Sequence, residues 1–342
     1  MANVLVTGGA GYVGCHVIGP LKRAGHNPVV FDNLSRGFAE LIHPQRVPIV
    51  VGNLSDRALL RRLLNEYQID AILHFAALAY VGESSTVPDQ YYRTNTVEAF
   101  GLLEEAVAYR PDAPPAIVQS STCAVFGVTD SLPIRETTDR RPINPYGRSK
   151  LALEWMLQDM ARQHHFGAVI LRYFNAAGAD RQSGCGECHH PETHLIPLAI
   201  QAAHCGAPFW IHGNDYDTPD GTAIRDFIHV LDLAAAHIAA LDYLIAGGSS
   251  TDINLGSGVG HSVLEVVQCV ERLGHRPVPV HIGSRRLGDP PALVCDSAKA
   301  RELLGWIPRY SDLDRIVADA LAWEARRPSV LELVPSAANG TR

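Results

Sequence analysis

Two residues of this chain have the types and spacing for proton transfer at neutral pH. On a helix, residues four apart share a face, so Tyr146 and Lys150 of Tyr146-Gly-Arg-Ser-Lys150 point into one cleft. A free phenol titrates near ~10, too high for a base at neutral pH. A neighbouring ammonium, helped by a positively charged ring, stabilises the phenolate, and ~1.4 kcal/mol of such stabilisation makes the phenol ten times stronger as an acid. Ser120, Ser121 and Thr122 follow an apolar run at Ala116 to Gln119. That places hydroxyls at the carboxyl edge of a strand, where open α/β sheets bind ligands, and one of them is expected to hold the reacting oxygen.

The second constellation lies at the start. Val4 to Thr7 reads as a short apolar strand that runs into Gly8-x-x-Gly11-x-x-Gly14. Glycines there permit a tight turn and close approach of a pyrophosphate, whose charge suits the unpaired N–H groups of the helix that follows. Asp32 closes the next strand, positioned to accept the adenosine ribose hydroxyls and to repel a 2′-phosphate, so NAD is expected over NADP. Arg36 lies close enough in sequence to reach a phosphate. A dinucleotide beside an acid/base pair describes hydride transfer at a carbinol carbon.

The elements that must position these groups alternate. Apolar residues at helical spacing, Val13, Val17, Ile18 and Leu21, follow the first strand up to Gly25. Strands are expected at Pro28 to Asp32, Val47 to Val51, Ala71 to Phe75, Ala116 to Ser120 and Ala168 to Tyr173. Helices are expected at Arg57 to Glu66, Gln90 to Tyr109 and Tyr146 to His164. This alternation gives the α/β class, a Rossmann-type doubly wound parallel sheet with a smaller α/β C-terminal substrate domain. The expected division is 1–180 for the NAD-binding domain, 181–330 for a discontinuous substrate-binding domain, and 331–342 for a tail. A strand and an alanine-rich helix from Arg225 to Leu244 are expected to return to the main sheet, within a segment near 225–255.

Composition narrows the alternatives. A net charge of -7 without a basic block argues against nucleic acid as a partner. No apolar run approaches the ~18 residues of a membrane span, and the start lacks a signal-peptide pattern, so no membrane and a cytoplasmic location are expected. The seven scattered cysteines read as reduced thiols. Cys185-Gly-Glu-Cys188-His189-His190, with His194 nearby, has metal-ligand types but no second Cys-x-x-Cys to close a zinc site. It reads as a polar loop lining the substrate side, and no metal is expected. The acidic stretch from Asn214 to Gly221 lacks the closing carboxylate of a calcium loop and reads as a turn between strands.

With these residues in view, the chain resembles the extended short-chain dehydrogenase/reductase family and, within it, the UDP-glucose 4-epimerase branch, from Val4 to about Trp323. The segments that carry the likeness are Val6-Thr-Gly-Gly-Ala-Gly-Tyr-Val-Gly14, Asp32-Asn-Leu, His74-Phe-Ala-Ala, Val81-Gly-Glu-Ser84, Ser120-Ser-Thr122 and Asn144-Pro-Tyr-Gly-Arg-Ser-Lys150. Further on come Leu171-Arg-Tyr-Phe-Asn175, Arg225-Asp-Phe-Ile-His-Val230, Asn254-Leu-Gly and Arg285-Arg-Leu-Gly-Asp289. The resemblance implies Tyr146 as acid/base, Lys150 on the nicotinamide ribose and Thr122 on the sugar. It implies NAD among Gly8, Gly11, Tyr12, Val13, Gly14, Asp32, Asn33, Asn53, Leu54, Phe75, Ala76, Ala77, Asn95, Ser120, Tyr146, Lys150 and Tyr173. It implies a UDP-sugar among Thr122, Asn175, His194, Leu195, His212, Arg225, Arg286, Asp289 and Leu293, and a homodimer formed through the two long helices.

The implied reaction inverts C4 of UDP-glucose or UDP-galactose through a 4-keto sugar that turns over while its UDP stays held. This chain departs from the branch in having Asn53 for an acidic residue, Ala79 for a lysine and His194 for an asparagine. At Leu293, members confined to unmodified hexoses carry tyrosine; a smaller residue admits N-acetylhexosamines. UDP-arabinose (UDP-xylose) 4-epimerases share Ser-Ser-Thr-Cys-Ala and Ala79-Tyr-Val-Gly-Glu, which keeps a pentose open. A 4,6-dehydratase needs an Asp-Glu pair where this chain has Cys123-Ala124. A non-catalytic NAD-binding protein needs no tyrosine, lysine and hydroxyl together.

Overall fold

The computed structural model describes residues 1–286 and 289–327. The expected tail, 331–342, and the two residues before Asp289 lie outside the described residues. Among the described residues the strands are β1 (Asn3–Thr7), β2 (Asn27–Asp32), β3 (Ile49–Val51), β4 (Ala71–His74), β5 (Ala116–Thr122), β6 (Ala168–Tyr173), β7 (Asn175–Ala177), β8 (Phe209–His212), β9 (Ile224–His229), β10 (Thr251–Leu255), β11 (Gly260–Ser262), β12 (Val280–Gly283) and β13 (Ala292–Leu293). The α-helices are α1 (Tyr12–Arg23), α2 (Arg57–Glu66), α3 (Val81–Ser84), α4 (Pro88–Tyr92), α5 (Ala99–Tyr109), α6 (Pro145–His164), α7 (Leu195–Cys205), α8 (Val230–Ile245), α9 (Val263–Gly274), α10 (Ala298–Leu304) and α11 (Leu313–Glu324).

Seven strands form one parallel sheet in the order β10-β6-β5-β4-β1-β2-β3. This is a doubly wound order that reverses between β1 and β4, and ligands of such sheets bind beyond the strand ends at that reversal. Alternation along the strands explains why both faces are covered. In β1, Val4 and Val6 pack with the apolar stripe of α1 (Val17, Ile18, Leu21) and with Leu233, Ala236 and Leu241 of α8. Leu5 points the other way, onto Leu60, Leu63 and Leu64 of α2, Leu102 of α5 and Leu153 of α6. A separate core joins α7, α9 and α11 through Ile196, Ile200, Val266, Val270, Ile316 and Val317.

Local chemistry sets where helices begin. Asn144 caps α6, its Oδ1 accepting from Gly147 N at 2.8 Å, with Pro145 at the first helical position. Asp56 caps α2 and Asp312 caps α11 in the same way, and Ser262 with Glu265 forms a capping box on α9.

Four expectations are corrected. The helix expected from Gln90 to Tyr109 is broken into α4, a π-helical turn at Arg93–Glu98, and α5. The wide turn buries Asn95, whose amide closes both ways on the Leu78 backbone at 2.8 and 2.9 Å. The strand expected from Val47 starts only at Ile49, since Pro48 has no N–H and offers just its carbonyl, to Val30 N at 2.9 Å. The strand expected to stop at Ser120 runs on to Thr122, pairing Ser120, Ser121 and Thr122 with β6, so these hydroxyls lie on the strand itself. The strand near Arg225 does not return to the main sheet: β9 pairs with β7, β11 and β13, and it is α8 and β10 that come back. The stretch from Asn214 to Gly221 is a turn between β8 and β9, closed by Tyr216 N to Gly221 O at 2.9 Å.

Candidate active site

At the β1–α1 turn the chain is shaped for a pyrophosphate. Gly8 has φ +69°, and a Cβ there would sit 2.5 Å from Ala76 N; a Cβ on Gly14 would sit 2.3 Å from Gly8 O. Gly11 caps α1 with no side-chain bond, leaving the first-turn amides to a ligand. Asp32 is buried and accepts from Ala10 N at 3.0 Å and Leu34 N at 2.8 Å, which fixes its carboxylate beside the loop. Burial raises its pKa while these amides hold it down. Exposed Asn33 donates to Asn53 Oδ1 at 2.7 Å, bringing two amides together just beyond Asp32. Arg36 is committed elsewhere, to Glu83 at 2.6 Å and over the Tyr80 ring at 4.7 Å. Arg36 is therefore not held out toward the Asp32 carboxylate, in keeping with the expectation of NAD from Asp32.

Other residues expected around NAD divide by role. Phe75 packs at a tilt against His237, centroids 4.6 Å apart, and Ala76 abuts Gly8, with Ala77 next along the loop. Val13 and Leu54 are packed into the cores on opposite faces of the sheet. Tyr12 opens α1 with its hydroxyl donating to Gly178 O at 2.6 Å, so its side chain is engaged within the protein.

Strand alternation on β5 sorts the three hydroxyls. Ser121 faces Glu154, which also forks with the buried Arg172 guanidinium at 2.8 to 3.1 Å. Ser120 and Thr122 face the cleft, Ser120 on the Tyr173 hydroxyl and Thr122 beside the Tyr146 phenol. Lys150 is buried on the next turn of α6 and donates to Ser120 O at 2.9 Å. Burial lowers its pKa to about 8, against the attraction of Glu154.

The phenol departs from expectation. Burial raises the pKa of Tyr146, Tyr173 adds to the rise, and the Thr122 hydroxyl opposes it; the ammonium of Lys150 is aimed at a carbonyl instead. In the protein alone Tyr146 is a neutral acid, and a cationic ring is what can turn it into a base.

On the far side of the cleft, Asn175 of β7, Arg225 of β9 and Leu293 of β13 are gathered by one small sheet. Arg225 ion-pairs with Asp289, and burial followed by the Arg286 charge lowers the pKa of His212. Arg225 also bears on Cys123, one residue beyond Thr122, so this cationic group adjoins the catalytic end. Leu195 opens α7 against the neighbouring core. His194 is set apart: its imidazole contacts Tyr80, His189, Glu187 and Glu192. Sequence reasoning assigned nothing to Glu187, Glu192, Tyr91 or His237. Tyr91 donates to Tyr80 O at 2.7 Å and lies edge-on to Tyr146 at 6.3 Å, and no spacing signal announced it.

The sequence profile of the NAD dependent epimerase/dehydratase family matches residues 4–256. The chain belongs to this family. It is 47% identical over 325 residues to a UDP-glucose 4-epimerase of Rhizobium leguminosarum bv. trifolii, covering 95% of this chain and 98% of that one. It is 48% identical over 323 residues to a UDP-glucose 4-epimerase of Azospirillum brasilense, covering 94% and 92%. The crystal structure of UDP-glucose 4-epimerase from Brucella ovis in complex with NAD superposes with a TM-score of 0.89 at 47% identity, covering 94% of this chain and 98% of that one. That of a UDP-glucose-4-epimerase from Stenotrophomonas maltophila, with bound NAD and formylated UDP-arabinopyranose, superposes at 0.92 and 37% identity, covering 96% and 99%.

Proposed function

We propose that this protein inverts C4 of a UDP-sugar in an NAD-dependent reaction, interconverting UDP-glucose and UDP-galactose through a 4-ketose. The observation that carries the proposal is the Tyr146 phenol beside Thr122 and one turn from Lys150, in a chain 47% identical to a UDP-glucose 4-epimerase over nearly its whole length. The glycine cradle, the open first turn of α1 and the Asp32 carboxylate fit NAD, with Asn33 and Asn53 beside adenine and Asn95, Ser120, Lys150 and Tyr173 toward nicotinamide. NAD held there supplies a hydride acceptor and donor next to the phenol.

Within the chain, Thr122 holds the C4 oxygen and Tyr146 takes and returns its proton. Lys150, locked on Ser120 O, presents its charge to the ribose and the phenol once the ring is in place. Arg225, Arg286 and Asp289 hold the diphosphate and uridine ribose, for which guanidinium forks and a carboxylate are suited. Firm UDP binding with few sugar contacts is what inversion requires, because a gripped pyranose could not turn over. Leu293 in place of a larger ring leaves room for an N-acetyl group, which extends the proposal to UDP-GlcNAc and UDP-GalNAc.

The main sheet, residues 1–180 with the return of α8 and β10, serves NAD, and the small sheet with α7, α9 and α11 serves UDP-sugar. A homodimer through α4 to α6 is supported by Val97 and Trp155, 65% and 52% exposed on neighbouring helices. A cytoplasmic location is supported by seven unpaired thiols, Cys15 and Cys185 being neighbours without a disulfide. Among the described residues no helix is long and apolar enough to cross a membrane. The test is to incubate purified protein, with no added NAD, separately with UDP-galactose, UDP-GalNAc and UDP-arabinose and identify the products. UDP-glucose from the first supports the reading, and conversion of UDP-arabinose alone overturns it in favour of a pentose epimerase.

A further inference from the structure

In the loop before α7, four side chains, His194 among them, converge in a way that the proposed proton and hydride transfer does not use. Glu187, His189, Glu192 and His194 each bring one ligating atom within 4.8 Å of all the others. Between the carboxylates and the imidazoles the separations are 3.2 and 2.7 Å from Glu187 Oε1 to His189 Nδ1 and His194 Nδ1, and 3.7 and 3.2 Å from Glu192 Oε1 to the same two nitrogens. Four ligands placed tetrahedrally at ~2.0–2.1 Å from one ion stand roughly 3.3 Å apart, the middle of this range.

The hydrogen bond between His194 Nδ1 and Glu192 Oε1 at 3.2 Å does not account for the cluster. Glu187 Oε1, His189 Nδ1 and Glu192 Oε2 are buried without a hydrogen-bond partner, although the Glu187 and Glu192 side chains are only 6% and 5% exposed. Carboxylate and imidazole lone pairs that converge on one point, with several of them left short of a well-formed hydrogen bond, suit a shared cation. The Glu192 carboxylate is held in place through Oε1, which also accepts from Thr193 N at 2.8 Å and His194 N at 2.9 Å. Charge is consistent with this: two buried carboxylates side by side call for compensating positive charge, which a divalent ion supplies.

The cysteines that lend this loop its zinc-like spelling are turned elsewhere. Cys188 enters the core, and Cys185 lies against Leu41 O and Gln45. The spelling Cys-x-x-Cys therefore misdirects, and the ligands are the residues interleaved with it and following it.

We propose that Glu187, His189, Glu192 and His194 form a closed site for one divalent transition-metal ion, zinc being the best match to two imidazoles and two carboxylates in tetrahedral array. The ion is structural, since four protein ligands leave no open position. All four come from one short segment that ends at the residue capping α7, and His189 packs edge-on against Tyr12 at 6.1 Å and Tyr80 at 5.4 Å. Tyr12 opens α1 behind the glycine loop, so the ion fastens the loop before α7 to the lip of the nucleotide site.

The test uses full-length, NAD-containing protein, stripped of metal with a chelator, reloaded with Zn²⁺, desalted and assayed for zinc by mass spectrometry. The result expected is about one zinc per chain, the number a closed four-ligand site holds, lost in Glu187→Gln/Glu192→Gln and kept in Cys188→Ser. Co²⁺ in the unsubstituted protein decides independently of whether the double variant folds. A ligand-field band without thiolate charge transfer supports the site. Failure of the unsubstituted protein to retain metal, retention by the double variant, or a thiolate spectrum overturns it. Because zinc content is read apart from turnover, this result and that of the proposed epimerase activity stand or fall separately.

Discussion

Tyr146 gains its chemistry from what surrounds the phenol. Burial beside Tyr173 keeps it protonated in the protein alone, and the Thr122 hydroxyl is the one neighbour working the other way. In the proposed reaction the proton leaves only when positive charge stands over the ring, which would couple acid/base function to the bound nicotinamide. Tyr146→Phe is expected to lower kcat by about 10²- to 10⁴-fold with NAD retained, as measured by turnover and by cofactor content after gel filtration. Thr122→Val, which keeps shape and removes the hydroxyl, is expected to lower kcat about tenfold or more with little change in KM for the UDP-sugar, because its bond is made to an oxygen whose charge changes during the reaction. Much of this was legible in the sequence: Tyr-x-x-x-Lys named the pair and Ser-Ser-Thr the hydroxyls. The resemblance pointed to Thr122 among the hydroxyls, but residue spacing alone did not sort them, because which ones face the cleft depends on the strand continuing to Thr122 and on the alternation that sends Ser121 to Glu154.

At the scale of elements, the β1–α1 turn has no slack. A Cβ on Gly14 would lie 2.3 Å from Gly8 O and 2.7 Å from Gly9 Cα, both backbone atoms that cannot step aside. Gly14→Ala is expected to yield protein that folds less stably and purifies without NAD, checked by thermal melting and by absorbance of released cofactor. The glycine spacing alone announces such a turn. By contrast, the break in the helix expected from Gln90 left no signal, since a π-helical turn differs from an α-helix by one residue and the apolar pattern continues through it. Its reason is the Asn95 side chain, which closes on the Leu78 backbone and touches Ser149 at 3.2 Å, tying the turn to α6. The buried pair of Glu154 on α6 and Arg172 on β6 likewise needed the fold to be seen, although the Leu171-Arg-Tyr segment stands out in the sequence. Glu154→Gln leaves a buried guanidinium short of charge and is expected to lower stability by about 3–5 kcal/mol, read from urea denaturation.

Across the whole molecule, three buried histidines set the response to acid. Burial lowers His16 to about 4 and His237 to about 4, and lowers His74 to about 3, where Lys150 adds to the effect. For His16, burial prevails over the carbonyls of Tyr12 and Cys185, which stand 2.7 and 3.1 Å from its two ring nitrogens. Between pH ~6.5 and the lowered values the unfolded chain binds these protons and the folded one does not, so stability falls as pH falls through that window. Each site contributes a slope of up to ~1.4 kcal/mol per pH unit. Melting temperature is therefore expected to drop between pH 7 and pH 5, and His237→Gln to make the drop shallower. The doubly wound class was readable from the alternation of strand and helix, and so was a return to the main sheet near 225–255 through the alanine-rich helix α8; that β10 and not β9 is the returning strand was not. Strand β9 has the same apolar look as a sheet strand, and only its pairing with β7, β11 and β13 shows which sheet it joins.

The central claim is that hydrogen leaves and returns to the same sugar carbon inside a closed site while Tyr146 handles the proton. UDP-galactose carrying deuterium at C4, incubated with the protein in ordinary water without added NAD, tests it directly by mass spectrometry and NMR of the product. The account predicts UDP-glucose with the deuterium retained at C4 and no accumulation of NADH. Loss of the label to solvent, or build-up of NADH with a keto sugar, would contradict it.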